Sequence, residues 1–216
     1  MALFLQHREP SFQWGIWKME EPIDVLLGLL PERAYYEEEL QRFNAPHRKQ
    51  EWLSVRALLF RLLGMHKEVC YEPSGKPYLA DNSYFISISH TKGYVAVILS
   101  EEKPVGIDIE QYSRRVHKVA HKYMREDEQF VPYGEDDTWS LLLHWSAKEV
   151  MFKCMNTPEV DFREHLHIEP FTYADSGQIK AYETRTGDTQ SYTLSYEVRP
   201  DFVFVYSLPS GSGISR

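Results

Sequence analysis

The segment VGIDIE, Val105–Glu110, decides how the fold and the chemistry of this chain are interpreted. Large apolar residues stand at positions 105, 107 and 109, and this alternation predicts a β-strand. The positions between them carry Gly106 and two acids, Asp108 and Glu110. Because every second side chain of a strand points to the same face, the two carboxylates share a face, roughly 6–7 Å apart. The strand is therefore either an exposed edge with solvated acids or part of a binding site.

A bound cation would explain why two acids lie side by side. Two carboxylates about 4 Å apart repel each other by roughly 4 kcal/mol at an effective dielectric constant near 20, and a cation removes that cost. Ligand sets made only of oxygen favour Mg²⁺, which usually takes one or two carboxylates together with waters and substrate phosphates. Gly106 leaves room for another backbone or for a ligand beside the acids.

The composition is that of an ordinary globular protein of 216 residues with a net charge of −8. This charge argues against a general nucleic-acid binder, whose affinity comes mainly from clustered cations. Cys70 and Cys154 are too few for a zinc site or a disulfide framework, which fits a reducing compartment. No segment has the length of a membrane span, and the N-terminal apolar run is too short for a signal peptide. We therefore expect a cytoplasmic protein without nucleic-acid or membrane partners.

The chain begins with helical patterns and then changes to strands. Two short helices broken at Pro31 are predicted first, followed by a longer helix that begins near Pro46 and ends at Gly64. Alternating segments from about residue 69 to 110 predict strands separated by turns. A helical stretch after Ser113, a helix over about 136–155 and four further strand-like segments complete the chain.

This order, helices then strands and the same again, predicts an α+β fold of two similar halves packed side by side. We place the N-terminal half at 1–112 and the C-terminal half at 113–208. The tail 209–216, rich in Gly and Ser, is expected to be flexible.

Further candidate residues lie on both sides of the acidic strand. Glu149 and Lys153 stand four residues apart on a helix otherwise rich in apolar residues, although surface Glu–Lys pairs at this spacing are common. Five residues could form an anion pocket if they converge: Arg48, Arg56, Lys76, Ser89 and His90.

Taken together, these motifs resemble the signature of 4′-phosphopantetheinyl transferases. The first block is Gly106-Ile107-Asp108, and the second, about forty residues further on, is Trp145-Ser146-Ala147-Lys148-Glu149 with Lys153. Upstream, Gly75-Lys76-Pro77 and Ser89-His90 are similar to family motifs in the same order. The length is similar to that of the larger surfactin-synthetase-activator type, which implies a monomeric pseudo-dimer with its active site at the interface of the two halves. Val150 departs from the family, which usually has a small residue there.

The resemblance implies a reaction and roles for these residues. A serine of an acyl or peptidyl carrier protein attacks the β-phosphate of coenzyme A, phosphopantetheine is transferred and 3′,5′-ADP leaves. The resemblance makes Asp108, Glu110 and Glu149 the Mg²⁺ ligands. Glu149, itself or through a metal-bound water, takes the serine proton, and Lys153 holds the phosphate. The nucleotide end of coenzyme A is bound by Arg48, Arg56, Lys76, Ser89 and His90.

A basic segment follows the acidic strand. Arg114, Lys118 and Lys122 fall at i, i+4 and i+8, which predicts one positive stripe on a helix, with Arg115 beside it. By itself such a stripe is most often a solvated face. In the family this neighbourhood meets the carrier protein, which is typically acidic around its serine.

Two other readings remain open at this point. One is a different Mg²⁺-dependent enzyme of phosphate transfer, such as a nuclease or a pyrophosphatase, although a nuclease is disfavoured by the acidic charge. The other is a relative that binds coenzyme A or a carrier protein without catalysis.

Overall fold

The computed structural model describes residues 3–129, 136–155 and 157–208. It contains two compact units, Met1–Glu102 and Lys103–Arg216. Each unit has its own antiparallel sheet and its own helices, so the α+β class is confirmed. The tail expected to be flexible, 209–216, lies outside the described residues. No helix in the described ranges is long and apolar enough to cross a membrane.

The first unit is built on a four-stranded sheet with the strand order β1-β2-β6-β5. A separate two-stranded ladder joins β3 and β4. The strands of this unit are β1 (Leu3–Arg8), β2 (Phe12–Lys18), β3 (Val69–Tyr71), β4 (Pro77–Leu79), β5 (Phe85–Thr91) and β6 (Tyr94–Ser100).

Within residues 3–102, three helices accompany this sheet, namely α1 (Ile23–Gly28), α2 (Arg33–Glu39) and α3 (Pro46–Leu63). A single 3₁₀ turn, Leu40–Arg42, follows α2. The predicted limits of the long helix are confirmed, because Pro46 occupies its first turn and Gly64 ends it in the left-handed conformation with φ of 70°. The buried side chains of α3, among them Leu53 and Leu58, pack in one core with β2 and β6.

The second unit has a five-stranded sheet with the order β7-β11-β10-β9-β8. Its strands are β7 (Ile107–Gln111), β8 (Leu166–Ile168), β9 (Ser176–Glu183), β10 (Ser191–Val198) and β11 (Phe202–Ser207). Its helices are α4 (Val116–Val119), α5 (Thr138–Cys154) and α6 (Phe162–His165). The helix α5 packs on β7 and β11 and supplies a large part of the core of this unit.

Three predictions from the sequence need correction. The chain does not begin with helices, because the hairpin of β1 and β2 comes first, and β2 is buried by pairing with the distant β6. The expected boundary at 112/113 is replaced by one after Glu102, since β7 pairs with β11 in the second unit. The basic segment is not one continuous helix, because α4 passes at once into a 3₁₀ turn, Ala120–Lys122.

Gly106 sets how closely α5 approaches the start of β7. A Cβ atom at this position would lie 2.6 Å from the carbonyl oxygen of Val150 and 3.1 Å from Sγ of Cys154. The branched side chain of Val150 is fully buried at this contact. The missing side chain at 106 thus makes room for the backbone of α5, which is the first of the two uses expected for this glycine.

We expect Gly106→Ala to lower the free energy of unfolding by about 1–3 kcal/mol, because the added methyl group overlaps a backbone atom that does not move freely. Urea denaturation of the full chain measures this effect. Gly28→Ala is the matched control, since a Cβ there meets nothing within 4 Å, and it should leave stability unchanged or slightly higher. Equal stability of the two variants would show that α5 and β7 are not in this tight contact.

Candidate functional site

The two acids of β7 point towards α5. In the antiparallel pair of β7 and β11, Asp108 lies opposite Val205 and Glu110 lies opposite Val203. Residues directly opposite each other share one face of the sheet, and both valines belong to the core that α5 covers. The carboxylates therefore lie under a helix and not on a solvated edge.

Two side chains of α5 contact these carboxylates. Nζ of Lys153 donates to Oδ1 of Asp108 at 2.8 Å and to the carbonyl oxygen of Ile107 at 2.9 Å. Nε1 of Trp145 donates to Oε1 of Glu110 at 2.9 Å. Asp108 is almost fully buried, so its ion pair with Lys153 is protected from solvent screening. One helix thus supplies a cation to the first acid and a neutral donor to the second.

The pKa values show that the acids of this cluster interact. Burial, and then the charge of Asp108, raise the pKa of Glu149 to about 7 against the opposing effect of Lys153. Burial and the charge of Asp108 also raise the pKa of Glu110 to about 7; the hydrogen bond from Trp145 opposes this, and Glu149 adds to it. Glu149 on the helix and the two acids on the strand therefore repel one another across a partly dry space.

This donor set fits a hard divalent cation bound in part by other ligands. In the described ranges, no three His, Cys, Asp or Glu side chains form a group that could hold a metal ion. Magnesium seldom requires this, because it usually combines one or two carboxylates with waters and phosphate oxygens. Three mutually repelling carboxylates, with Asp108 buried and Glu110 and Glu149 partly exposed, offer only oxygen ligands and an excess of negative charge, which such a cation would neutralise.

The other lysine of the second motif block has a structural role. Lys148 is fully buried, and its Nζ donates to Oε2 of Glu128 at 2.7 Å and to the carbonyl oxygens of Tyr123 and Phe162 at 2.6 and 3.2 Å. Glu128 in turn accepts a hydrogen bond from the backbone of Ile168. Lys148 therefore fixes α5 to the neighbouring segments and is not part of the acidic cluster. Neither the partner Glu128 nor the hydrogen bond of Trp145 was predicted from the sequence.

The first unit contains a cleft of about 460 Å³. Its walls are mainly aromatic and apolar, with a few charged side chains at the mouth. The lining residues are Phe43, Arg48, Glu51, Trp52, Val55, Tyr71, Gly75, Pro77, Ile88 and His90. Two of the five predicted anion-binding residues, Arg48 and His90, are therefore brought together.

The other three residues of the predicted anion pocket lie differently. The guanidinium of Arg56 is 4.0 Å from the ring centre of Trp52 and 3.5 Å from the hydroxyl of Tyr71, so it lies directly behind the aromatic wall. Lys76 is not among the lining residues, although both of its chain neighbours are. Ser89 is buried, and strand alternation turns it away from the face on which Ile88 and His90 line the cleft.

The four basic residues predicted to form a docking surface are all exposed: Arg114, Arg115, Lys118 and Lys122. Because α4 is only one turn long, they do not form the regular helical stripe that was predicted. Two histidines, His117 and His121, are exposed in the same segment.

We expect Glu149→Gln to stabilise the metal-free protein by about 1–3 kcal/mol at pH 8 and by much less at pH 4.5. The native state holds the proton of Glu149 more tightly than the unfolded state does, since its pKa is about 7 against an ordinary 4.5. Native stability is therefore lost as the pH rises from about 4.5 to 7, and glutamine removes that loss. Denaturation with a chelator at both pH values measures the effect, and the exposed Glu169→Gln is the control. A gain that does not depend on pH would contradict the proposed repulsion.

Comparison with known proteins shows that the region containing the acids of the site is similar to a known family. Residues 104–205 match the model of the 4′-phosphopantetheinyl transferase superfamily. The chain is also similar to the 4′-phosphopantetheinyl transferase AcpT of Escherichia coli O157:H7, with 39% identity over 72 residues, which are 32% of this chain and 37% of that protein. The AcpT protein of Salmonella typhi is 39% identical over 64 residues, which are 29% of this chain and 33% of its own length.

The matched segments thus span little more than a third of the relatives' length. The family match is longer and contains the acids of β7, Glu149 and Lys153. Residues 104–205 are therefore the part of the chain that is similar to the 4′-phosphopantetheinyl transferase superfamily.

Proposed function

We propose that this protein transfers the 4′-phosphopantetheine group of coenzyme A to a serine of an acyl or peptidyl carrier protein, with Mg²⁺, and releases 3′,5′-ADP. The observation that carries the proposal is the partly buried cluster of carboxylates on β7 and α5 with Lys153 paired to Asp108. The cluster lies within the segment that matches the family. An excess of partly buried negative charge with one cation beside it suits a metal-bound pyrophosphate better than it suits a structural core.

Asp108, Glu110 and Glu149 would hold the magnesium ion together with phosphate oxygens and water. When bound, the ion supplies positive charge that offsets the charge of the pyrophosphate during transfer. Trp145 keeps the carboxylate of Glu110 oriented through its hydrogen bond of 2.9 Å. The fold itself sets this orientation, because Glu110 lies on β7 and Trp145 lies on α5.

In the proposed step, the serine oxygen of the carrier protein forms a bond with the β-phosphorus, and the bond from that phosphorus to the bridging oxygen of 3′,5′-ADP breaks. The serine proton passes to the carboxylate of Glu149, directly or through a water molecule. Nζ of Lys153 stabilises the charge that develops on the departing phosphate.

We assign the nucleotide end of coenzyme A to the cleft of the first unit. Its aromatic walls suit the adenine ring, and Arg48 and His90 at the mouth suit a phosphate group. Arg56 adds positive charge behind Trp52 and Tyr71. Lys76 and Ser89, which lie beside the cleft and not in its wall, remain proposed contributors on the family resemblance alone.

The exposed basic residues from Arg114 to Lys122 are the proposed docking surface for the carrier protein. A carrier protein that is acidic around its serine would be attracted to this surface, and charge complementarity of this kind mainly speeds encounter and fixes orientation. We also propose the larger monomeric subtype of the family and a cytoplasmic location, which suits a chain with only two cysteines.

Intact-mass spectrometry of an apo carrier protein tests the reaction. With this protein, coenzyme A and Mg²⁺, we expect a mass gain of one phosphopantetheine group. Asp108→Asn should lower the rate by roughly a hundredfold or more, because it removes a charge that balances Lys153 and binds the metal.

The exposed Asp188→Asn of the same unit is the matched control and should react like the wild type. Failure of the wild type to modify acyl and peptidyl carrier proteins, although it binds coenzyme A, would contradict transfer and favour a relative that only binds. Release of phosphate or cleavage of nucleic acid without modification would favour another Mg²⁺-dependent reaction.

A further inference from the structure

Glu51 occupies the position in the cleft where an anion would be expected. Nη1 of Arg48 donates to both of its carboxylate oxygens, at 2.9 and 3.1 Å. Nε2 of His90 lies 2.7 Å from Oε1 of the same carboxylate. Among the residues that line the cleft, all of which are described, Glu51 is the only acid. One carboxylate thus engages both basic residues of the cleft mouth.

The exposure of these side chains shows which of them a ligand can reach. The side chain of Glu51 is 14% exposed, whereas those of Arg48 and His90 are 51% and 50% exposed. The carboxylate therefore lies below two basic side chains that remain open to solvent. A phosphate entering the cleft meets the two basic groups first and competes with the carboxylate for their N–H donors.

Glu51 is negatively charged at neutral pH. Burial would raise the pKa of its carboxyl group, but the hydrogen bonds and charges of His90 and Arg48 outweigh burial and lower the pKa. Arg56 is the remaining cation at this wall, and within the described residues no carboxylate pairs with it. The cleft therefore keeps an overall positive charge, although Glu51 offsets part of it.

We propose that Glu51 is a specificity-determining residue, a built-in competitor that weakens the hold of Arg48 and His90 on the terminal phosphate of the nucleotide. This inference rests on the proposed binding of coenzyme A in the cleft. When coenzyme A binds, its terminal phosphate replaces the carboxylate of Glu51 as the partner of Arg48 and His90. When the carboxylate pairs with these two side chains again, the release of 3′,5′-ADP is assisted. A ligand with a hydroxyl in place of the terminal phosphate does not take part in this exchange.

If Glu51 had a purely structural role, removing its charge would change the stability of the fold. Arg48 and Glu51 are three residues apart on α3, and an ion pair at this spacing whose arginine is half exposed contributes little to stability. The helix is held instead by its buried apolar side chains, such as Leu53 and Leu58. Removing the charge of Glu51 is therefore expected to leave the fold intact and to change ligand affinity, which separates the two roles.

Titration calorimetry with coenzyme A and with 3′-dephospho-coenzyme A tests the proposal on the full chain. We expect Glu51→Gln to bind coenzyme A about three- to tenfold more tightly and to change the affinity for the dephospho compound by less than about twofold. Inhibition by 3′,5′-ADP should strengthen by the same factor as the binding of coenzyme A. Glu51→Asp, which keeps the charge, should restore values close to those of the wild type.

Glu37→Gln is the matched control, because Glu37 forms an ion pair with Arg33 at helical spacing on α2 but does not line the cleft. It should change neither affinity, and the melting temperatures of all variants should agree with that of the wild type. Equal changes for both ligands, or weaker binding of coenzyme A by Glu51→Gln, would overturn the competitor role. If the wild type still modifies a carrier protein in that case, the transferase proposal stands; if it neither binds coenzyme A nor transfers, both proposals fail.

Discussion

The ion pair between Lys153 and Asp108 joins the two elements on which the candidate site depends. Two unpaired carboxylates about 4 Å apart would repel each other by roughly 4 kcal/mol at an effective dielectric constant near 20, and β7 brings its acids under a helix that adds a third. Nζ of the partly buried Lys153, 2.8 Å from Asp108, offsets part of this repulsion. Gly106 admits α5 to this distance, and the buried pair of Lys148 and Glu128 keeps the helix there. The remaining negative charge is the physical basis of the proposed binding of a metal ion and a phosphate.

Much of the fold follows from local signals in the sequence. Pro46 and Gly64 mark the ends of α3 through backbone preferences that act within a few residues, and the alternation around Ile107 and Ile109 marks β7. The hairpin of β1 and β2 could not be recognised in this way, because β2 is buried on account of its pairing with β6, about eighty residues later. The same applies to the unit boundary, since β7 finds its partner in β11 near the other end of the chain.

The site was predictable as a set of residue types but not as a set of contacts. The spacing of Asp108 and Glu110 already placed both acids on one face, whereas their partners Lys153 and Trp145 lie far along the chain. In the first unit, strand alternation alone could have separated Ser89 from His90, although they are adjacent in sequence. The sequence around Glu51 does not distinguish it as a site residue, because an acid three residues after an arginine on a helix is an ordinary surface pattern. Only the fold shows that His90 joins the pair.

Thermal melting with Mg²⁺, with coenzyme A and with both tests the central claim most directly. If the carboxylates bind the ion together with the pyrophosphate, each ligand strengthens the binding of the other, because they share a coordination sphere. The account predicts that the increase in melting temperature with both ligands exceeds the sum of the two separate increases. Additive increases, or an effect of coenzyme A that does not change with Mg²⁺, would contradict the shared site and leave the acidic cluster without the role assigned to it.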